Sequence, residues 1–267
     1  MSAARENLKN AKRIVVKVGT STLAHSGSYK LNLYRIEHLI RELADLHNAG
    51  KEIIFVSSGA IAAGIGRMRL NGKPETIPEN QALAAIGQGI LMHIYEKFFA
   101  EYGQIPAQVL LTGDIANDEH ARENAGNSLT TILKMGAIPV INENDAVAVD
   151  EIKIGDNDNL SALVAKITNA EVLIILTDID GLYNKNPKSD DSAKLIDEVP
   201  EIDSTIEKIA GGAGTKLGTG GMFTKIQAAK VATAAGISML IVSGREPGNL
   251  RRVLNGENIG TIFPAAL

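Results

Sequence analysis

Short apolar runs alternate along this chain with stretches whose apolar residues recur every three to four positions. Residues 14–18, 53–56, 109–111, 138–141, 172–176, 239–242 and 261–263 read as strands, most of them apolar enough to be buried on both faces. Between them lie predicted helices. The first is capped by Asn32, carries Leu33, Ile36, Leu39, Ile40, Leu43 and Leu46 on one face, and ends at Gly50. An Ala/Gly-rich helix follows Ser57-Ser58-Gly59-Ala60, and further helices are expected over residues 79–102, 119–134, 160–167, 202–209 and 222–235, the last closed by Gly236. On the long helix, Ile86, Ile90, Ile94 and Phe98 form a stripe read as core in preference to a subunit contact. A small hairpin is expected over residues 146–154, turning at Asp150-Glu151.

Strands separated by helices predict an α/β fold, a three-layer αβα sandwich with a mainly parallel central sheet. No repeat, low-complexity linker or charge block divides the chain, so residues 1–267 are expected to form one domain, with residues 1–12 as a tail.

Composition narrows the chemistry. The 267 residues contain no cysteine, which excludes disulfides, thiolate nucleophiles and the usual structural zinc sites. A net charge of -4, no tryptophan and only five each of Phe and Tyr argue against nucleic acid as a partner. No apolar stretch is long enough to span a bilayer and the N-terminus lacks a signal-like apolar segment, so a cytoplasmic location is expected.

In open parallel sheets, ligands bind beyond the C-terminal ends of the strands. The loops there are unusual. Lys17-Val18-Gly19-Thr20-Ser21 puts a lysine on an apolar strand, a costly placement unless an anion meets it. Ser57-Ser58-Gly59-Ala60 leads a strand into a small-residue helix, which suits either an anion at free N–H groups or merely a tight turn with close packing. Asn142-Glu143-Asn144-Asp145 could hold an ammonium group, or be a solvated turn. Gly155-Asp156-Asn157-Asp158-Asn159 carries four capping-type residues where one cap needs one. The glycine run 211–221 opens directly onto a helix, where backbone N–H groups can curl around phosphate oxygens and Lys225 can reach them. Thr177-Asp178 and Asp180-Gly181-Leu182-Tyr183 offer a further loop for a base and ribose.

Familiar nucleotide motifs are missing. Neither Gly50-Lys51 nor Gly72-Lys73 is followed by Ser or Thr, so there is no P-loop. Gly218-Thr219-Gly220 meets Phe223 where a dinucleotide fingerprint needs a small residue. The histidines lack zincin spacing, and no Gly-x-Ser-x-Gly elbow occurs.

In this order, the Lys17, Ser58-Gly59, Asn142–Asp145, Gly155–Asn159 and Gly218–Lys225 segments resemble the amino acid kinase family, from about Ile14 to Phe263. The resemblance implies ATP and Mg²⁺ as cofactors and L-glutamate as acceptor, its side-chain carboxylate being phosphorylated in the first step of proline biosynthesis. It implies that Lys17 and Lys225 contact the phosphates and that Asp158 orients both lysines. Gly19, Thr177, Asp178, Thr219, Gly220, Gly221, Met222, Phe223 and Thr224 would then hold ATP, while Ser58, Gly59, Asn142, Asp145 and Asn157 would bind glutamate. No protein metal ligands are expected. Phe223 departs from the small residue expected in the nucleotide loop. Kinship further implies proline as feedback inhibitor. A homo-oligomer, dimer or tetramer, is expected as well. Many members carry a C-terminal PUA domain; the chain ends soon after Phe263, and a form without it is expected.

Rival readings are a kinase of the same fold acting on carbamate, aspartate, acetylglutamate or a nucleoside monophosphate, a non-catalytic nucleotide sensor, and a dinucleotide-dependent oxidoreductase. The Ser58-Gly59 and Gly155–Asn159 segments favour free glutamate over the first. Retention of Lys17, Lys225 and Asp158 disfavours the sensor, and the missing fingerprint disfavours the oxidoreductase.

Overall fold

The computed structural model describes residues 2–25, 27–147, 157–187, 189–211 and 221–266. In chain order the elements are α1 (Ala3–Asn7), β1 (Arg13–Val18), α2 (Thr20–Leu23), α3 (Leu33–Asn48), β2 (Glu52–Ser57), α4 (Ala60–Met68), α5 (Ile77–Glu101), β3 (Pro106–Leu111), α6 (Glu119–Lys134) and β4 (Ile138–Glu143). They continue with α7 (Asn157–Ile167), β5 (Val172–Thr177), α8 (Ser204–Ile209), α9 (Met222–Ala234), β6 (Ser238–Ser243), α10 (Asn249–Leu254) and β7 (Thr261–Phe263). Among the described residues the strands form one sheet of order β3-β4-β2-β1-β5-β6-β7. Every neighbouring pair is parallel except β6–β7, which is antiparallel. The predicted hairpin falls mainly on residues 148–156, outside the described residues.

Strand alternation sorts the side chains into two cores. Ile14, Val16 and Val18 of β1 pack with α3, α5 and α10 on one face. Val15 faces the other way, into a cluster with Ile54, Val56, Leu173 and Ile175 and the apolar sides of α6, α7 and α9. This is the expected three-layer arrangement, and it places Lys17, two residues after Val15, on the α7/α9 face of the central strand.

Local signals set several helix ends as read. Asn32 Oδ1 accepts from Arg35 N at 3.0 Å, capping α3, and Gly50 adopts φ 88 just beyond it. The packed stripe of α3 begins one turn in, at Ile36; Leu33 is 52% exposed and does not belong to it. The face of α5 also differs from expectation. Its buried residues are Leu83, Ala84, Gly87, Leu91, Tyr95 and Phe99, whereas Ile86 is 40% exposed and Ile94 and Phe98 are only partly covered. A helix apolar on nearly every side gives no periodic cue to its inner face.

The small residues around Ser57–Gly64 serve close packing. A Cβ on Gly87 would lie 1.7 Å from Ala60 O, and one on Gly64 would lie 2.2 Å from Leu83 O, so α4 and α5 cross with their backbones in contact. Residues 2–12 are more than a tail. Leu8 is buried in the core, and the buried Arg5 guanidinium donates to the carbonyls of Asp197, Glu257, Ile259 and Gly260. Burial lowers the Arg5 pKa, opposed by nearby Asp197 and Glu198. No helix among the described residues is long and apolar enough to cross a membrane.

Candidate active site

Two lysines from distant parts of the chain meet on one carboxylate. Lys17 Nζ lies 2.6 Å from Asp158 Oδ1, and Lys225 Nζ lies 3.0 Å from Asp158 Oδ2. Thr224 Oγ1 also donates to Oδ2, at 2.9 Å. All three charged groups are buried, with exposures of 3% for Lys17, 0% for Asp158 and 4% for Lys225. Each position follows from the fold. Lys17 is the penultimate residue of the central strand, Asp158 sits in the first turn of α7, and Thr224-Lys225 occupy the first turn of α9, which packs against α7 and buries Ala228, Ala229 and Ala232. Burial raises the Asp158 pKa, but the facing ammonium groups of Lys17 and Lys225 more than offset it and bring it down to about 2. The carboxylate is therefore anionic at neutral pH.

A second cluster adjoins the first through the peptide bond between Asn157 and Asp158. Asn157 Nδ2 donates toward Ser57 O at 3.0 Å, Ser58 Oγ at 2.8 Å and Asn142 Oδ1 at 2.8 Å. Its buried Oδ1 has no hydrogen-bond partner among the described residues. Unpaired buried acceptors are costly, so this oxygen suits a donor group on a ligand. Asn142 is held in turn: Glu143 N donates to its Oδ1 at 2.9 Å, and its Nδ2 donates to Gln88 Oε1 at 2.9 Å. Behind the cluster, Ser57 Oγ and the buried Tyr95 hydroxyl lie 2.6 Å apart, and burial raises the Tyr95 pKa.

Gly59 adopts φ 95 and starts α4, so the turn after Ser58 requires a residue free of a side chain. Asp145 lines a cleft of about 270 Å³ with Glu143, Asn144, Gln88 and Gln108. Gly19 approaches Lys17, its notional Cβ lying 3.7 Å from Nζ. Thr177 is buried at the end of β5, with Oγ1 3.3 Å from Asp178 Oδ1. Asp178 borders a separate cleft of about 410 Å³ beside Thr20, Ser21 and Arg245. Gly221 caps α9 in an extended conformation, with Met222 and Phe223 half-buried after it. Thr219 and Gly220 lie outside the described residues, as do Gly155 and Asp156.

Gln88 was not anticipated from the sequence. The available signal was a lone polar residue between two glycines, Gly87-Gln88-Gly89, inside the otherwise apolar stretch of residues 82–92.

Residues 12–243 match the profile of the Amino acid kinase family, and the chain belongs to that family. Among curated proteins it is 54% identical over 263 residues to a glutamate 5-kinase of Clostridium acetobutylicum, with 98% of each chain covered. A glutamate 5-kinase of Carboxydothermus hydrogenoformans is 55% identical over 259 residues, covering 97% of this chain and 69% of that one. Two solved structures share the fold. UMP kinase from Bacillus anthracis has a TM-score of 0.65 at 17% identity, covering 96% of this chain and 97% of that one. An isopentenyl phosphate kinase has a TM-score of 0.65 at 19% identity, covering 94% and 99%.

Proposed function

We infer that this chain transfers the terminal phosphoryl group of ATP to the side-chain carboxylate of L-glutamate, giving γ-glutamyl phosphate and ADP. The observation that carries the reading is the pair of buried lysines held by Asp158 at the C-terminal rim of the sheet. Relatives more than half identical along nearly the whole chain support glutamate as acceptor.

The nucleophile needs no general base, because a glutamate side chain with a pKa of roughly 4.3 is already ionised at neutral pH. A carboxylate oxygen forms the new bond to phosphorus. The bond from phosphorus to the bridging oxygen breaks, and its electron pair leaves on ADP. The obstacle is repulsion between an anion and a polyanion, and Lys17 and Lys225 act against it at the phosphoryl group. Asp158 fixes both ammonium groups without donating a proton. Asn157 Oδ1 and Asp145 would receive the substrate ammonium group, and the Ser58-Gly59 turn would face the reacting carboxylate. Thr177, Asp178 and residues 219–225 would hold the nucleotide.

Mg²⁺ fits this site as a companion of the triphosphate. Both Asp158 oxygens are engaged by ammonium groups, and no cluster of three or more metal-type side chains occurs among the described residues. When bound, the ion would neutralise phosphate charge. The half-exposed Ile86 on α5 and Leu110 on edge strand β3 support self-association, which light scattering would test.

The deciding assay supplies ATP, Mg²⁺ and hydroxylamine with glutamate or aspartate, and measures the trapped acyl hydroxamate. Product with glutamate alone is expected. Product with aspartate alone would move the chain to another acceptor, and added proline tests feedback inhibition in the same mixture.

A further inference from the structure

We infer that Gln88 recognises the α-carboxylate of the acceptor through its side-chain Nε2. The inference rests on glutamate being the acceptor, and it follows from the direction of the hydrogen bonds. Asn142 Oδ1 is committed as an acceptor, from Glu143 N at 2.9 Å and from Asn157 Nδ2 at 2.8 Å. The other end of that amide must therefore be its NH₂ group, and this buried donor needs an acceptor. Gln88 supplies one, with Oε1 2.9 Å from Asn142 Nδ2. Fixing the oxygen fixes the nitrogen. Nε2 of Gln88 is left as a donor with no acceptor of its own among the described residues, on a half-buried side chain that lines the cleft with Asp145 and Asn144.

The position suits the distal end of the substrate. From the lysine pair the network runs through Asp158, the adjoining Asn157, then Asn142, and ends at Gln88. Glutamate reacts at one carboxylate and must be recognised at the other. A wall carrying Asp145 and Glu143 repels that second carboxylate unless a donor intervenes. An amide held in one orientation supplies the donor without adding a cation that would bind the reacting carboxylate in the reverse sense.

The test compares Gln88→Glu with the parent enzyme on L-glutamate and on its α-amide. The substitution keeps an acceptor for Asn142 but turns the donor into a charged oxygen. The network behind it is preserved while the donor is lost and a negative charge is added, which the neutral Gln88→Ala variant controls for. KM for glutamate is expected to rise about tenfold to a hundredfold, the range for a hydrogen bond to a charged group. The values of kcat and of KM for ATP should stay within about twofold. The penalty should largely vanish with the α-amide, whose NH₂ group can donate to the new carboxylate. Where the α-amide is a poor substrate, its inhibition constant against glutamate supplies the same ratio. Gln88→Ala provides a second variant, and its defect should disappear with 4-aminobutanoate, which lacks the α-carboxylate, again as substrate or inhibitor. Equal losses with both members of either pair, or an unchanged KM for glutamate, would overturn the inference. Failure of the parent enzyme to give any glutamyl hydroxamate would instead overturn the functional reading beneath it.

Discussion

Replacing Asp158 with asparagine keeps the volume of the side chain and removes its charge. The native carboxylate accepts from Lys17 at 2.6 Å, Lys225 at 3.0 Å and Thr224 at 2.9 Å, in a position with 0% exposure. An amide offers one oxygen, and its NH₂ group must then face an ammonium or hydroxyl donor. The fall in pKa from an ordinary 3.8 to about 2 corresponds to about 2 kcal/mol of preference for the ionised form. Breaking a buried ion pair by removing one partner costs about 3–5 kcal/mol. A stability loss of about 2–4 kcal/mol is therefore expected, equivalent to a drop in Tm of roughly 5–15 °C for a chain of this size.

Catalysis should suffer more than binding. Both ammonium groups lose their common anchor, and misplacing such a donor costs about a hundredfold to a thousandfold in kcat. KM for glutamate should change by no more than about threefold. Coupled ADP release measures the first quantity, and urea titration measures the stability. The pH dependence gives an independent check. A pKa held below its ordinary value stabilises the fold fully above about pH 4, and that contribution disappears as pH falls through about 2. The stability gap between parent and variant should thus shrink by about 1 kcal/mol between pH 7 and pH 3. A variant with near-parental kcat, or with a large rise in KM alone, would refute the role of Asp158 in holding the lysines for phosphoryl transfer.

Three further outcomes are expected. Lys225→Ala should lower kcat by about a hundredfold to a thousandfold, with little change in Tm because Lys17 still pairs with Asp158; turnover near the parental rate would remove Lys225 from the mechanism. Gly87→Ala places a methyl group 1.7 Å from Ala60 O, and overpacking of this kind typically costs about 1–3 kcal/mol or more, so an unchanged urea midpoint would contradict the α4–α5 contact. Arg5→Ala removes the guanidinium from four carbonyls, of which Asp197 O keeps Ile262 N and Glu257 O keeps Ile259 N as donors, at about 1–3 kcal/mol for each one left buried and unsatisfied. It should lower Tm by several degrees while leaving kcat unchanged, as a thermal scan beside a rate assay would establish.

Much of the sheet was legible because buried parallel strands are continuous apolar runs, as in residues 172–176, and cannot disguise themselves as amphipathic surface elements. Helix ends were readable where one residue carries the physics, as with Asn32 and Gly236. The inner face of α5 was not, since an apolar residue faces almost every direction. Arg5 was hidden for another reason: its partners are backbone carbonyls near residues 197 and 257–260, and carbonyls leave no trace in composition. The short helix α10 was missed: it follows Gly248, which offers no side-chain cap, whereas the equally short α8 is capped by Asp203. In the candidate site, Lys17 stood out because a charge on an apolar strand demands a partner, and Asp158 because it lies in a run of capping-type residues longer than one cap needs. Gln88 is uncharged, so neither the sequence nor its setting advertised its partner Asn142.

The first turn of α7 governs the relation between the two halves of the site. Successive residues of a helix diverge by about 100°, so Asn157 and Asp158 face different neighbours from adjacent positions. Asp158 faces β1 and α9, where the lysines are, and Asn157 faces β2, β4 and, through Asn142, α5. Lys17 stands on the strand between those sides. On the proposed reading, the distance between a phosphoryl donor over the lysines and an acceptor over Asn157 would be set by one peptide unit of a packed helix. Such a geometry is pre-organised for attack by an oxygen that is already ionised, which is the chemistry a carboxylate acceptor needs.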